Sequence, residues 1–260
     1  MTLLHILLAT LATGALSVLA AALIAVPRLK GIVQRLVSLS AGLLLATALL
    51  HLLPEAIESH ADLHALCAVL LAGLVGFFLL EKLAIVRHSH HYEGDGHHHE
   101  HGHDRDEAGP GGSLILVGDT IHNFADGVMI AVAFATDISL GWLTAIAIAT
   151  HEIPQEIGDF ILLLNAGYSR ARALMFNALS GLAAVAGGLF GHFALGTAEE
   201  IHPYVLMLSA ASFIYIALAD LVPDLHRESR RARAGWLRQF ALMAVGIAVI
   251  AVLTRSLHAH

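Results

Sequence analysis

The amino-acid sequence predicts an all-α membrane protein with eight transmembrane helices, and three observations carry that expectation. Of the 260 residues, 57% are hydrophobic and only 13% charged, with mean hydropathy +0.73; soluble domains sit nearer a quarter charged. Apolar runs long enough to cross a hydrocarbon core, about 20 residues each, recur at 3–26, 32–53, 64–87, 113–136, 139–164, 171–195, 203–222 and 236–256. The basic residues also segregate. Arg28, Lys30 and Arg35 follow the first run, Lys82, Arg87 and Arg105 the third, and Arg170 and Arg172 the fifth. Arg227, Arg230, Arg231, Arg233 and Arg238 follow the seventh, which leaves Arg255 alone on the opposite side. The positive-inside rule makes those connections cytoplasmic and puts both termini outside.

The first run has no Lys or Arg ahead of it and is long for a leader, so it reads as a span rather than a cleaved signal peptide. The third carries Gly73 and Gly76, and the sixth Gly187, Gly188 and Gly191, small residues that let helices approach closely. Between spans 3 and 4 the stretch 88–112 is hydrophilic and rich in histidine, so it is expected as a cytoplasmic loop. His97, His98, His99, His101 and His103 there suit loose buffering of metal. The organisation is thus helices over 1–87, the histidine loop over 88–112, and helices over 113–260, forming one membrane domain. Cys67 is the single cysteine, which excludes an intrachain disulfide and a Cys-type zinc site. A formal net charge of -7, with its bases scattered, leaves no nucleic-acid footprint. Short loops point to a bacterial inner membrane, with lipid as the surrounding partner.

The chemistry lies in spans 4 and 5. No Lys or Arg occurs between Arg105 and Arg170, yet Asp119, Asp126, Glu152, Glu156 and Asp159 fall in that interval. A carboxylate at the centre of a membrane helix costs roughly 2.5–3.5 kcal/mol on insertion scales. Several together, with no cationic side chain, call for a bound divalent cation or a proton. On span 4, Asp119, His122, Asn123 and Asp126 share one helical stripe, with His122 and Asp126 at i and i+4. On span 5, His151 pairs with Gln155 and Glu152 with Glu156 at the same spacing, and Asp159 continues the Glu152 strip. Pro154 lacks an N–H, so it frees the Thr150 carbonyl and favours a kink, where irregular backbone is tolerated if it lines a cavity. Imidazoles mixed with carboxylates and amides suit zinc, iron, manganese or cadmium, whereas calcium and magnesium prefer oxygen alone.

These residues also carry a resemblance. His122-Asn123-Phe124-Ala125-Asp126-Gly127, followed by His151-Glu152-Ile153-Pro154-Gln155-Glu156-Ile157-Gly158-Asp159-Phe160, resembles the paired signature of ZIP (Zrt/Irt-like) metal transporters of the His-Glu-x-Pro subfamily. His51-Leu52-Leu53-Pro54-Glu55, Phe77 to Lys82, and Asn177 with Ser180 are similar too. The resemblance implies a ZIP-like helix bundle that carries divalent metal, zinc foremost, into the cytoplasm, with no organic cofactor. It implies homodimers and an elevator-like motion of spans 1, 4, 5 and 6 past spans 2, 3, 7 and 8. It also implies two adjoining metal positions. The first would use His122, Asp126, His151 and Gln155; the second Asn123, Glu152, Gln155 and Asn177. Glu156 and His51 would serve as exit or relay residues. Relatives often have His or Glu where Gln155 stands, so a weaker second position is expected.

Two other functions fit parts of the pattern. His151-Glu152-Ile153-Pro154-Gln155 begins like the His-Glu-x-x-His of zinc proteases, but Gln155 replaces the second His and Pro154 interrupts the helix. A cation-diffusion exporter also uses membrane His and Asp, but that class has six spans. The expectation is a transporter rather than an enzyme.

Overall fold

The computed structural model describes residues 2–23, 26–89, 111–165, 167–223, 225 and 235–257. His97, His98, His99, His101 and His103 lie outside the described residues, as do Arg105 and Arg227 through Arg233. The described chain is helical throughout, with no strand among the described residues. The order is α1 (Thr2–Leu23), α2 (Val26–Thr47), α3 (Leu53–Glu58), α4 (Leu63–Ser89), α5 (Gly111–Thr136), α6 (Ile138–Asn165), α7 (Arg170–Phe190), α8 (His202–Tyr215) and α9 (Gly235–Leu257). Short π-helical turns at Ala48–Leu52, Gly191–Leu195 and Ile216–Leu221 continue α2, α7 and α8.

Each of the eight expected ranges falls on a helical segment. Among the described residues, five segments are long and apolar enough to cross a membrane: Thr2–Leu23, Arg35–Glu58, Arg170–Leu195, Glu199–Ala219 and Trp236–Thr254, with Leu63–Leu79 a shorter apolar helix. The other two, α5 and α6, are those whose apolar character is broken by acid, imidazole and amide side chains.

Local chemistry explains the breaks. Pro54 has no N–H to offer the carbonyl four residues back, and the ladder loosens there, with the Leu53 N–H reaching five residues back to Ala48 O. Asp137 is the one residue between α5 and α6. Its Oδ1 accepts from the N–H groups of Ser139 at 2.8 Å and Leu140 at 2.9 Å, capping the first turn of α6. So short a connection makes α5 and α6 antiparallel neighbours and turns their polar stripes toward each other.

Packing divides the helices into two groups. α1, α5, α6 and α7 pack on one another, and α2, α3, α4, α8 and α9 form the second group. The groups meet chiefly where α2 lies along α6, and also where α5 meets α8. Large apolar side chains such as Leu8, Leu19, Leu71, Trp236, Phe240 and Val252 point outward, while Asn123, Asp126, His151, Glu152, Glu156 and Asn177 are buried. That inversion fits a chain whose surroundings are lipid and whose polar groups must find partners inside.

The α5–α7 contact is set by glycine. A Cβ at Gly127 would collide with the backbone carbonyl of Ala184, and one at Gly187 with that of Phe124. Gly76, noted in the sequence as a close-approach residue, has open space where a side chain would go. Gly127→Ala is expected to destabilise the protein by about 1–3 kcal/mol, the usual cost of overpacking, whereas Gly76→Ala, with open space for its methyl group, is expected to stabilise it by up to about 1 kcal/mol through helix propensity. Thermal unfolding of the two purified variants in detergent measures the contrast.

Candidate metal centre

α5 brings His122 and Asp126, and α6 brings His151 and Glu152, so that one donor atom from each lies within 4.8 Å of the others. His122 Nε2 stands 3.3 Å from His151 Nε2, 3.5 Å from Glu152 Oε1 and 3.8 Å from Asp126 Oδ2. His151 Nε2 stands 3.3 Å from Asp126 Oδ2 and 3.5 Å from Glu152 Oε1. Four ligands at about 2.0–2.1 Å from a tetrahedral zinc are separated from one another by about 3.3–3.4 Å. Five of the six separations among the four donors run from 3.3 to 3.8 Å and all lie within 4.8 Å, a spacing compatible with one shared zinc-sized ion.

The electrostatics agree with the spacing. His151 Nδ1 lies 3.2 Å from the Ala147 carbonyl, which can only accept. Nδ1 therefore donates to that carbonyl, and Nε2 faces the cluster, with its lone pair available when the imidazole is neutral. Both carboxylate oxygens of Asp126 and both of Glu152 are buried without a hydrogen-bond donor. Asp126, His151 and Glu152 have no exposure, and the His122 side chain retains 21%. Buried charges of one sign are very costly unless a counter-charge joins them, and the sequence supplies no Lys or Arg in this interval. A divalent cation fits the donor set in charge, size and ligand type.

α6 stays helical through Pro154. The carbonyl of Thr150, which Pro154 cannot serve, accepts instead from the Ser40 hydroxyl of α2 at 2.6 Å. The residue that freed this carbonyl was legible in the sequence, but Ser40, its replacement donor, was not singled out. The available signal was Ser38 and Ser40 standing in an otherwise apolar run.

The remaining expected residues surround the four. The Asn123 side-chain amide donates to Asp119 Oδ1 at 3.0 Å and to Asp119 O at 3.2 Å, which points its oxygen away from that bond. Gln155 has a buried side-chain oxygen with no partner. Asn177 donates to the Glu156 carbonyl at 2.7 Å, and the Ser180 hydroxyl reaches Glu156 Oε1 at 3.5 Å. Glu156 Oε2 and Asn177 Oδ1 are buried and unpartnered, so α6 and α7 share a second polar pocket. Asp159 is half-buried on α6 and His51 is buried in the π-helical turn after α2; neither joins the group of four. Glu152, expected at the second metal position, lies in the group of four with His122, Asp126 and His151.

Comparison with known proteins follows the same lines. The family model described as ZIP Zinc transporter matches residues 2–113 and 85–254. Over 137 residues, 53% of this chain and 19% of the relative, the chain is 36% identical to "Zinc transporter foi" of Drosophila melanogaster. Over 134 residues it is 41% identical to "Zinc transporter ZIP4" of Mus musculus, covering 52% of this chain and 20% of that protein. Over 117 residues it is 40% identical to "Zinc transporter ZIP6" of Homo sapiens, covering 45% and 16% respectively. The chain thus spans about a fifth of the length of the curated relatives it matches. These relatives are animal proteins, so the expectation of a bacterial inner membrane draws no support from them. Paired motifs on two facing helices, apolar helices around a buried polar centre, and a family match along nearly the whole chain lead to one conclusion: this integral membrane protein belongs to the ZIP zinc transporter family.

Proposed function

We propose that the protein carries divalent transition-metal ions, zinc foremost, across the membrane into the cytoplasm, and that the ion binds as substrate between α5 and α6. The observation that carries this reading is the gathering of His122, Asp126, His151 and Glu152 within 4.8 Å of one another, five of their six separations being 3.3–3.8 Å and so close to the spacing of ligands on a shared zinc-sized ion. Iron, manganese and cadmium accept the same donors. The names of the relatives point to zinc. Eight spans with both termini outside follow from the distribution of basic residues. The division of helices into two packed groups supports an elevator motion, with α1, α5, α6 and α7 carrying the site along the others. A homodimer, embedded in lipid, is the working assembly. Asn123, Gln155 and Asn177 contribute to a second, weaker position; Glu156, Asp159 and His51 line the route by which the ion leaves.

Release is part of the design. Carboxylates and imidazoles bind zinc less tenaciously than thiolates, and a centre half-built from carboxylates exchanges its ion more readily than a structural site would. Saturable zinc uptake is expected in proteoliposomes that hold the purified protein. His151→Ala and Asp126→Ala, confirmed as folded, should each lower uptake by at least about tenfold, since even outer partners of metal ligands cost that much. No uptake of zinc, iron, manganese or cadmium by the folded wild type would overturn the proposal.

Stoichiometry tests the second position. Calorimetry should find one tight zinc site and another weaker by at least about an order of magnitude, because a neutral Gln155 is a poor bridge between two cations. Gln155→His should narrow that gap. Two sites of similar affinity in the wild type would remove Gln155 as the cause of any asymmetry.

A further inference from the structure

Six threonines inside the described helices share a hydrogen-bonding habit that Thr47 and Thr144 lack. Thr10, Thr13, Thr120, Thr136 and Thr254 each donate to the carbonyl four residues back, and Thr150 to the one three back. Thr47 and Thr144 are fully buried, and neither hydroxyl has a hydrogen-bond partner. A buried hydroxyl left unmade is costly, so its retention calls for a physical reason.

Both lie on the seam between the two helix groups. Ser40 of α2 donates to Thr150 O of α6, and Leu43 and Ala46 of α2 cluster with Leu143 of α6. The two helices therefore run antiparallel, and the same register brings Thr47 level with Thr144. Thr47 is seven residues beyond Ser40, which returns to the same helix face two turns, about 10.5 Å, further on. α2 thus presents two hydroxyl donors in line, one engaged and one idle. α6 presents one carbonyl that no intrahelical N–H can reclaim, because Pro154 has none to give.

We propose that Ser40 and Thr47 are alternate stations for the Thr150 carbonyl. Ser40 holds it in the conformation described, and Thr47 receives it once α6 has moved two turns toward the C-terminal end of α2. The inference rests on the elevator reading given above. The two stations give the sliding seam discrete stops, and each stop satisfies a buried acceptor that would otherwise be orphaned. Thr150 immediately precedes His151 and Glu152, so the latch grips the turn that carries half of the metal centre. Ser40 and Thr47 act as positioning residues, since neither contributes a donor to that centre.

The test compares zinc uptake, zinc affinity and cross-linking in one set of variants, all on a Cys67→Ser background. Thr47→Val removes the hydroxyl while keeping the shape. It should lower the rate of uptake about fivefold, the order of one net hydrogen bond, with zinc affinity by calorimetry unchanged. Thr47→Ser should restore the rate, which a role in packing alone would not produce. Thr47→Cys with Thr150→Cys should form a disulfide under oxidation, although in the conformation described the two-turn offset of about 10.5 Å exceeds the reach of about 7 Å for a disulfide. Absence of that cross-link overturns the proposal, as does Thr47→Val uptake equal to the background, or failure of Thr47→Ser to restore it. Absence of uptake by the background protein itself is a distinct result, which overturns the transport reading instead.

Discussion

Asp126 and Glu152 place two carboxylates without exposure beside a lone pair of His151, and no Lys or Arg of spans 4 and 5 answers them. That concentration of negative potential in a low-dielectric interior is the constraint on which the rest of the architecture depends. It cannot relax by solvation, because the helices around it turn apolar faces outward. No Lys or Arg can pair with it, and the ionisable nitrogens beside it are the imidazoles of His122 and His151, 3.3–3.8 Å from the carboxylate oxygens. In the proposed function a divalent cation supplies the missing charge.

Holding such groups together requires a frame that resists their mutual repulsion. The one-residue connection capped by Asp137 fixes α5 against α6, and the backbone-to-backbone approach at Gly127 and Gly187 fixes α5 against α7. α1 closes the group along α6 and α7, where the Arg170 guanidinium donates to the Ala22 carbonyl at 2.6 Å. These contacts join four helices into a unit whose parts keep their spacing. The opposite seam, between α2 and α6, is of another kind. A directed bond runs across it from Ser40 to Thr150 O, and beside the apolar side chains of Leu43, Ala46 and Leu143 it presents the buried hydroxyls of Thr47 and Thr144.

Much of this was legible in the residue pattern. Each apolar run marks a helix, and the i, i+4 pairs on spans 4 and 5 name all four clustered donors: His122, Asp126, His151 and Glu152. Local spacing determines which side chains share a face, so the stripes could be read directly. The partition of ligands was harder. Glu152 stands beside His122, Asp126 and His151 because the rotation of α6 against α5 decides which carboxylate meets both imidazoles, and that rotation is a tertiary property. Ser40 was hidden for a similar reason. It lies 110 residues from its acceptor, and nothing local distinguishes a serine that serves a distant carbonyl from one that serves its own helix. The π-helical turn at Ala48–Leu52 also escaped notice, although Pro54 supplies its physical cause.

The donor set has one more consequence, which concerns redox chemistry. Nitrogen and oxygen make up the whole cluster, and the single sulfhydryl of the chain, Cys67, sits exposed on α4. Sulfur ligands bind soft metals tightly but can be oxidised to disulfides or sulfenic acids, which strip the metal. A centre of imidazole and carboxylate offers peroxide no thiolate to attack. On the proposed function, its hold on an ion is therefore uncoupled from the thiol balance of the compartments on either side, and the same residues serve in reducing and oxidising surroundings alike.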